Sequence, residues 1–186
     1  MTLSQDEKVL LLHFARQGLE AAAHGYPLPK LDLSSLPATL QQPGASFVTL
    51  TKRQKLRGCI GTLIAEHPLA EDVLQHGMDA AFDYRFVPVR PDELDQIRVE
   101  VSVLTEPKLL AYNETSSLLE NLQAGMDGVV LQSGRHKATF LPQVWDKVSG
   151  KEQFMEMLCQ KASLPPDAWR EQHLDISTYR VISFEE

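Results

Sequence analysis

Phe47-Val48-Thr49-Leu50-Thr51, Lys52-Arg53-Gln54-Lys55 and Leu56-Arg57-Gly58-Cys59-Ile60-Gly61-Thr62-Leu63 follow one another without interruption. A β-branched and aromatic run, a polar tetrapeptide and a second apolar run predict an antiparallel hairpin. Its second arm is interrupted by Gly58 and Gly61, residues that mark a bulge or a close backbone approach inside a strand. That arm also carries one of the chain's 2 cysteines, directly after its densest basic run. If the arm is regular, Arg57, Cys59 and Gly61 share one face and Leu56, Gly58 and Ile60 the other.

On the N-terminal side, Ser4-Gln5-Asp6-Glu7 has the S-x-x-E form of a capping box, and Leu11, Phe14, Ala15, Gly18, Leu19 and Ala22 recur at helical spacing until Gly25 and Pro27. One long amphipathic helix is expected. Between Tyr26 and Gly44, Pro27, Pro29, Pro37 and Pro43 punctuate a leucine-bearing segment. It is too rich in proline for a helix and too apolar for a free linker, so it reads as a strap pinned by its leucines. On the other side, Pro68 suits the start of a helix with Ala70, Val73, Leu74, Gly77, Met78 and Ala81 on one face, ending near Asp83. Ile97-Arg98-Val99-Glu100-Val101-Ser102-Val103 alternates strictly and is the clearest strand in the chain.

The C-terminal half repeats this grammar. A helix around Glu114 to Leu122 precedes a second hairpin, Gly128 to Gln132 and Lys137 to Leu141, closed by Pro142. Ser149-Gly150-Lys151-Glu152 reads as another capping box, opening a helix with Phe154, Met157, Leu158 and Ala162 buried. Leu174 to Phe184 reads as one final strand. Strands and helices without a regular βα alternation predict an α+β fold with mixed or antiparallel sheet and flanking helices. The repeated hairpin and helix hint at a duplicated unit with two interlocked subdomains.

With 186 residues, 43% hydrophobic and 23% charged, the chain has the composition of an ordinary globular domain with a sizeable core. The formal charge of −7, from 25 acids and 18 bases, disfavours broad binding to nucleic acid or anionic lipid. No apolar run approaches the roughly 18 residues of a membrane span, and the N-terminal residues are acidic rather than basic, so a cytoplasmic protein is expected. Cys59 and Cys159 form no C-x-x-C pair, and the 6 histidines show no ligand spacing, so neither metal nor other cofactor is expected.

Chemistry concentrates on Cys59. Arg53, Lys55 and Arg57 favour a thiolate, and Gly58 and Gly61 could open the backbone to an oxyanion or phosphate; against this stands a small core residue flanked by packing glycines. Asp83 and Arg85 either form a strut with each other or project toward the cysteine. Glu100 is either solvent-facing or a buried carboxylate with a role in acid–base chemistry. His67 and His136 are both possible bases, and no spacing selects between them. Cys159 reads as a packing residue. The candidate set is Cys59 and Glu100 as reacting groups, with Arg57, Gly58, Gly61, Asp83 and Arg85 around an unidentified small substrate.

The run Leu56-Arg57-Gly58-Cys59-Ile60-Gly61-Thr62-Leu63 resembles the signature of the AMMECR-one domain family, known in prokaryotes as AmmeMemoRadiSam system protein A. The likeness continues through Ala80-Ala81-Phe82-Asp83-Tyr84-Arg85-Phe86 with Pro88, Val99 to Leu104, Thr139 to Trp145 and Cys159 to Ala162, so it spans nearly the whole chain. It implies a single family-type domain over residues 1–186, made of a larger and a smaller lobe with the arginine–glycine–cysteine block beside a cleft between them. It also implies association with a Memo-family protein and a radical S-adenosylmethionine protein, with no assigned reaction. A non-catalytic nucleotide-binding, nucleic-acid-binding or adaptor module is the alternative. His136 and Lys137-Ala138 stand where relatives are variable.

Overall fold

Ser4 caps the first helix as its sequence requires: its Oγ accepts from the Glu7 amide at 3.2 Å and the Glu7 carboxylate accepts from the Ser4 amide at 2.7 Å. The computed structural model describes residues 2–186. α1 (Gln5–His24) ends at Gly25, whose left-handed φ of 70° lets the chain turn off the helix. The strap follows, with a 3-10 turn at Leu33–Ser35 and a short α2 (Ala38–Gln41). Leu40 is fully buried, and Leu28, Leu31, Leu33 and Leu36 pack partly buried against the same core.

β1 (Pro43–Lys52) and β2 (Lys55–Gly61) form the hairpin. Its turn is made by Arg53 and Gln54, both at positive φ (51° and 64°), the hand that matches the strand twist. A two-residue bridge, β3 (His67–Pro68), pairs with the start of β1 and leads into α3 (Leu69–Ala81). A 3-10 segment, Pro91–Gln96, precedes β4 (Ile97–Leu104), in which Ile97, Val99, Val101 and Val103 are buried and Arg98 is exposed.

α1 and α3 lie together and cover one face of the sheet, where Val48, Leu50, Val99 and Val101 are fully buried. Their crossing is close because two glycines face it. A Cβ on Gly18 would run into the Leu74 carbonyl oxygen, and one on Gly77 into the Ala15 carbonyl oxygen.

The chain leaves this N-terminal unit after Leu104 and returns to it at Ile182. Between lie β5 (Lys108–Leu109), α4 (Thr115–Asn121), β6 (Gly128–Ser133), β7 (His136–Phe140), α5 (Lys151–Lys161), α6 (Ala168–Glu171) and β8 (Asp175–Tyr179), with a 3-10 segment at Pro142–Lys147. The core of this second unit holds Leu118, Leu131, Phe154, Leu158 and Trp169. The Trp145 ring stacks on Phe154 at 3.7 Å between centroids, and its Nε1 donates to the Asp127 carbonyl at 2.7 Å.

The expected last strand is two strands. β8 belongs to the second sheet and β9 (Val181–Glu185) to the first. The break falls at Arg180, whose amide donates to Thr105 Oγ1 at 2.8 Å, whose carbonyl accepts from the Thr105 amide at 2.9 Å, and whose guanidinium pairs with Asp127 at 3.2 Å. A polar residue tied three ways stops the ladder, which residue-type patterning does not reveal. The Ser149 capping box also fails to form. Gly150 is the cap of α5, and the Ser149 amide and hydroxyl both donate to Gln153 Oε1, because the helix begins one residue later than expected. Phe154, Leu158 and Ala162 are buried as expected, but Met155 is buried in place of Met157, which is exposed.

The protein is α+β, and its two open antiparallel sheets share one plan. In the first the order is β2-β1-β4-β9, with β3 also beside β1; in the second it is β5-β8-β6-β7. Each unit therefore runs helix, hairpin, helix, strand, and each places the first hairpin strand in the middle: β2-β1-β4 and β7-β6-β8. Among the described residues no helix is long and apolar enough to cross a membrane.

Gly77→Leu should lower unfolding stability by about 1–3 kcal/mol, because the added side chain must force the α1–α3 crossing apart. Urea unfolding measures it, and unchanged stability would mean that the helices have room to separate.

Candidate functional site

β2 is the edge of its sheet, and Cys59 lies at its middle. Cys59 pairs with Thr49, and the backbone groups it turns away from β1 are both satisfied by side chains. Its amide donates to Asp83 Oδ2 at 2.8 Å, and its carbonyl accepts from Arg85 Nη2 at 3.1 Å. The same Asp83 accepts from the Arg85 amide at 3.1 Å and from Arg85 Nε at 2.9 Å. Asp83 and Arg85 thus make the strut the sequence suggested and, with the same atoms, clamp the cysteine's backbone. They serve as one rung of a missing neighbour strand.

Asp83 is almost wholly buried. The Arg85 bonds beside it hold its carboxyl well below the usual carboxylate range, against the opposing effect of burial, and the Cys59 amide adds to the lowering. In turn the Asp83 carboxylate raises the Arg85 guanidinium further. Arg85 remains 44% exposed and bonds through Nε and Nη2.

The Cys59 thiol is half-buried, and Thr49 Oγ1 donates to its Sγ at 3.3 Å. Glu100 pairs with Thr49 from the opposite side, so Cys59, Thr49 and Glu100 form one row across three strands, on the face opposite α1 and α3. Two strand spacings separate the outer pair by about 10 Å, with the threonine between them. Glu100 is half-buried and accepts from Ser102 Oγ at 3.3 Å, and Ser102 in turn meets Ser183 Oγ at 2.8 Å.

The regular alternation expected for β2 does not hold. Thr51 pairs with Leu56 but Leu50 with Gly58, so Arg57 is an extra residue in a bulge. Its guanidinium joins Glu93 at 2.9 Å and 3.2 Å and the Pro88 carbonyl at 3.4 Å, rather than lying beside the sulfur. Lys52 meets the same Glu93 at 2.8 Å. Bonds from Arg57 and then Lys52, opposed by burial, lower the Glu93 carboxyl to about 2. Two of the four cations near the hairpin thus share one carboxylate, and Arg53 and Lys55 stand exposed at and beside the turn.

Both glycines have packing reasons. A Cβ on Gly58 would strike the Ala80 carbonyl oxygen at the end of α3, and one on Gly61 would strike the Ser46 carbonyl and the Phe47 ring. Close packing at Gly58 brings the α3 terminus, and with it Asp83, against the strand. His67 lies in β3, and His136 lies in β7 of the second unit with Nδ1 at 2.9 Å from the Ala162 carbonyl. Cys159 is fully buried in the second core, and burial pushes its thiol up.

Thr49 and Glu93 are the participants that residue type alone did not select. Thr49 was readable once the hairpin register is known, since it faces Cys59. Glu93 had no signal beyond acid following the basic run at a distance of about 40 residues, and only the 3-10 segment brings it there. Among the described residues no group of three or more histidine, cysteine, aspartate or glutamate side chains is placed to hold a metal ion.

These features define a class: an α+β protein with a threonine-bonded thiol on a clamped sheet edge. The chain belongs to the AMMECR1 family, whose model matches residues 12–184. It is 36% identical over 190 residues to a protein of Methanothermobacter thermautotrophicus, covering 99% of this chain and 96% of that protein. A Methanocaldococcus jannaschii protein is 34% identical over 192 residues, with 99% and 92% covered. The crystal structure of an uncharacterized protein from Pyrococcus horikoshii superimposes with a TM-score of 0.80 at 30% identity, covering 99% of this chain and 93% of that one.

Glu93→Gln should destabilise the fold at pH 7 by about 2–3 kcal/mol. The carboxyl is lowered in the folded state, so its contribution is complete above the ordinary glutamate range and is lost as pH falls from about 4.5 toward 2. Urea unfolding of wild type and variant at pH 7 and pH 3 should show the gap narrowing; an equal gap at both would mean that the Arg57–Glu93–Lys52 cluster carries no such linkage.

Proposed function

We propose that this protein is a cytoplasmic enzyme, or a component of one, in which Cys59 is the nucleophile or covalent carrier for a small carbonyl-bearing or anionic substrate. The observation that carries this is the pairing of a half-buried thiol with a hydroxyl donor and a nearby guanidinium on a backbone fixed at both its N–H and its carbonyl. The hydroxyl on sulfur and the guanidinium on the neighbouring backbone place a nucleophile and a cation within one short stretch of edge strand. The thiolate would add to a carbonyl carbon, forming a C–S bond as the C=O π pair moves onto oxygen.

Arg85 is the group suited to meet that oxygen. Nη1 is the nitrogen left over from its bonds to Asp83 and the Cys59 carbonyl among the described residues. Asp83 acts as a positioning residue. Glu100, one strand beyond Thr49, is the nearest acid in the row and is assigned proton handling for groups of substrate that extend along the sheet face. Arg57, Gly58 and Gly61 support the site through the bulge and the helix contact, a change from the direct anion contacts expected of them.

The pathway would be shared with a Memo-type protein and a radical S-adenosylmethionine protein, a reading that rests on the family likeness alone. An adaptor function is favoured by one observation: Phe82, Tyr84 and Val87, beside the Asp83–Arg85 clamp, are exposed, Tyr84 at 90%. Nucleic-acid binding is less favoured, since Lys52 and Arg57 already share Glu93.

Iodoacetamide should alkylate Cys59 in the folded protein faster than the same peptide in the unfolded chain, and should leave buried Cys159 unmodified. Thr49→Val should slow the Cys59 reaction several-fold, because it removes the hydroxyl that donates to Sγ. Mass spectrometry of the two cysteine peptides reads both. Labelling of Cys59 at the rate of an unfolded control, unaffected by Thr49→Val, would favour the adaptor reading.

A further inference from the structure

A cavity of about 550 Å³ opens in the N-terminal unit between α3 and the Leu28–Leu31 part of the strap. Its volume is that of a small-molecule site. Leu74 of α3 is buried on its wall, and Leu28 and Leu31 of the strap are half-buried on the other side. Lys30, His67, Glu71 and Gln75 stand exposed at its rim, and Asp72 and His76 line it further in.

One polar group among the apolar walls is fixed in orientation. His76 lines the cavity, and its Nδ1 lies 3.2 Å from Asp72 Oδ2 and 3.3 Å from Ser46 Oγ. Ser46 Oγ is 2.6 Å from the same Oδ2. The serine has one hydroxyl proton, and the short distance to the carboxylate assigns it there. Asp72 Oδ2 accepts the serine's proton, so the hydrogen bond between that same oxygen and His76 has its proton on Nδ1. In the neutral ring Nε2 is then an acceptor, and the bonds of the cluster leave it unused.

The trio is not a hydrolytic triad. A nucleophilic serine would give its hydroxyl proton to the imidazole, with the carboxylate on the other ring nitrogen. Here Ser46 is fully buried and donates to Asp72 directly. The cluster ties β1 to α3 and sets the tautomer of His76.

We propose that this cavity binds a small molecule with an apolar body and an N–H or O–H donor, the body held by Leu28, Leu31 and Leu74 and the donor received by His76 Nε2. This site is separate from the Cys59 row and does not depend on any reaction there. A ligand whose buried end is only an acceptor leaves Nε2 unpaired inside the pocket and loses affinity.

Indole and 1-methylindole test this directly, because they share a body and differ in the donor. Titrated into the full chain carrying ¹⁵N-histidine at pH 8, where an ordinary imidazole is neutral, indole should move the His76 Nε2 resonance saturably. 1-Methylindole should bind about five-fold more weakly. In His76→Phe, which keeps ring volume and removes the acceptor, indole should bind no better than 1-methylindole. The wild-type comparison stands alone if that variant fails to fold. Indole leaving His76 unmoved would overturn the site, and equal affinity of the two probes would overturn the donor chemistry.

Discussion

The Asp83 carboxylate holds the sheet edge of the N-terminal unit together. An edge strand presents backbone groups that must be satisfied by water, by another chain or by side chains. Here one buried carboxylate accepts from the Cys59 amide while binding Arg85, which returns a donor to the Cys59 carbonyl. The arrangement fixes the backbone of a single residue on both sides and leaves its side chain on the row with Thr49. Gly58 is the condition for it: only without a Cβ does the end of α3 come close enough for Asp83 to reach the strand.

The bulge at Arg57 belongs to the same arrangement. It turns Arg57 to Glu93, which also holds Lys52, and so it ties the turn end of the hairpin to the 3-10 segment that follows the Asp83 loop. Two carboxylates, Asp83 and Glu93, therefore anchor successive parts of β2, each lowered by the arginine it binds. Both lie in a chain segment between α3 and β4, so the loop runs beside the strand edge rather than away from it.

Much of this architecture was legible in the sequence where period and punctuation agree. The S-x-x-E start of α1, the Ile97–Val103 alternation and both hairpins carry local signals strong enough to survive folding. The Cys59, Asp83 and Arg85 triplet was legible as a set of residues, but its geometry was not. A one-residue register slip in β2 reverses which side chains share a face, and the two glycines signal a perturbed strand without fixing that the extra residue is Arg57. The split of the last strand at Arg180 and the burial of Ser46 with Asp72 and His76 are likewise decided by partners far along the chain. Long-range polar contacts leave no periodic trace.

Native-state hydrogen exchange at the Cys59 amide tests the clamp most directly. Although Cys59 faces outward from an edge strand, its N–H donates to a buried carboxylate, so it should exchange as slowly as the interior amides of β1 and β4, only through large-scale opening. Exchange at the rate of a solvent-exposed edge amide would contradict the account, because it would mean that Asp83 does not hold the strand.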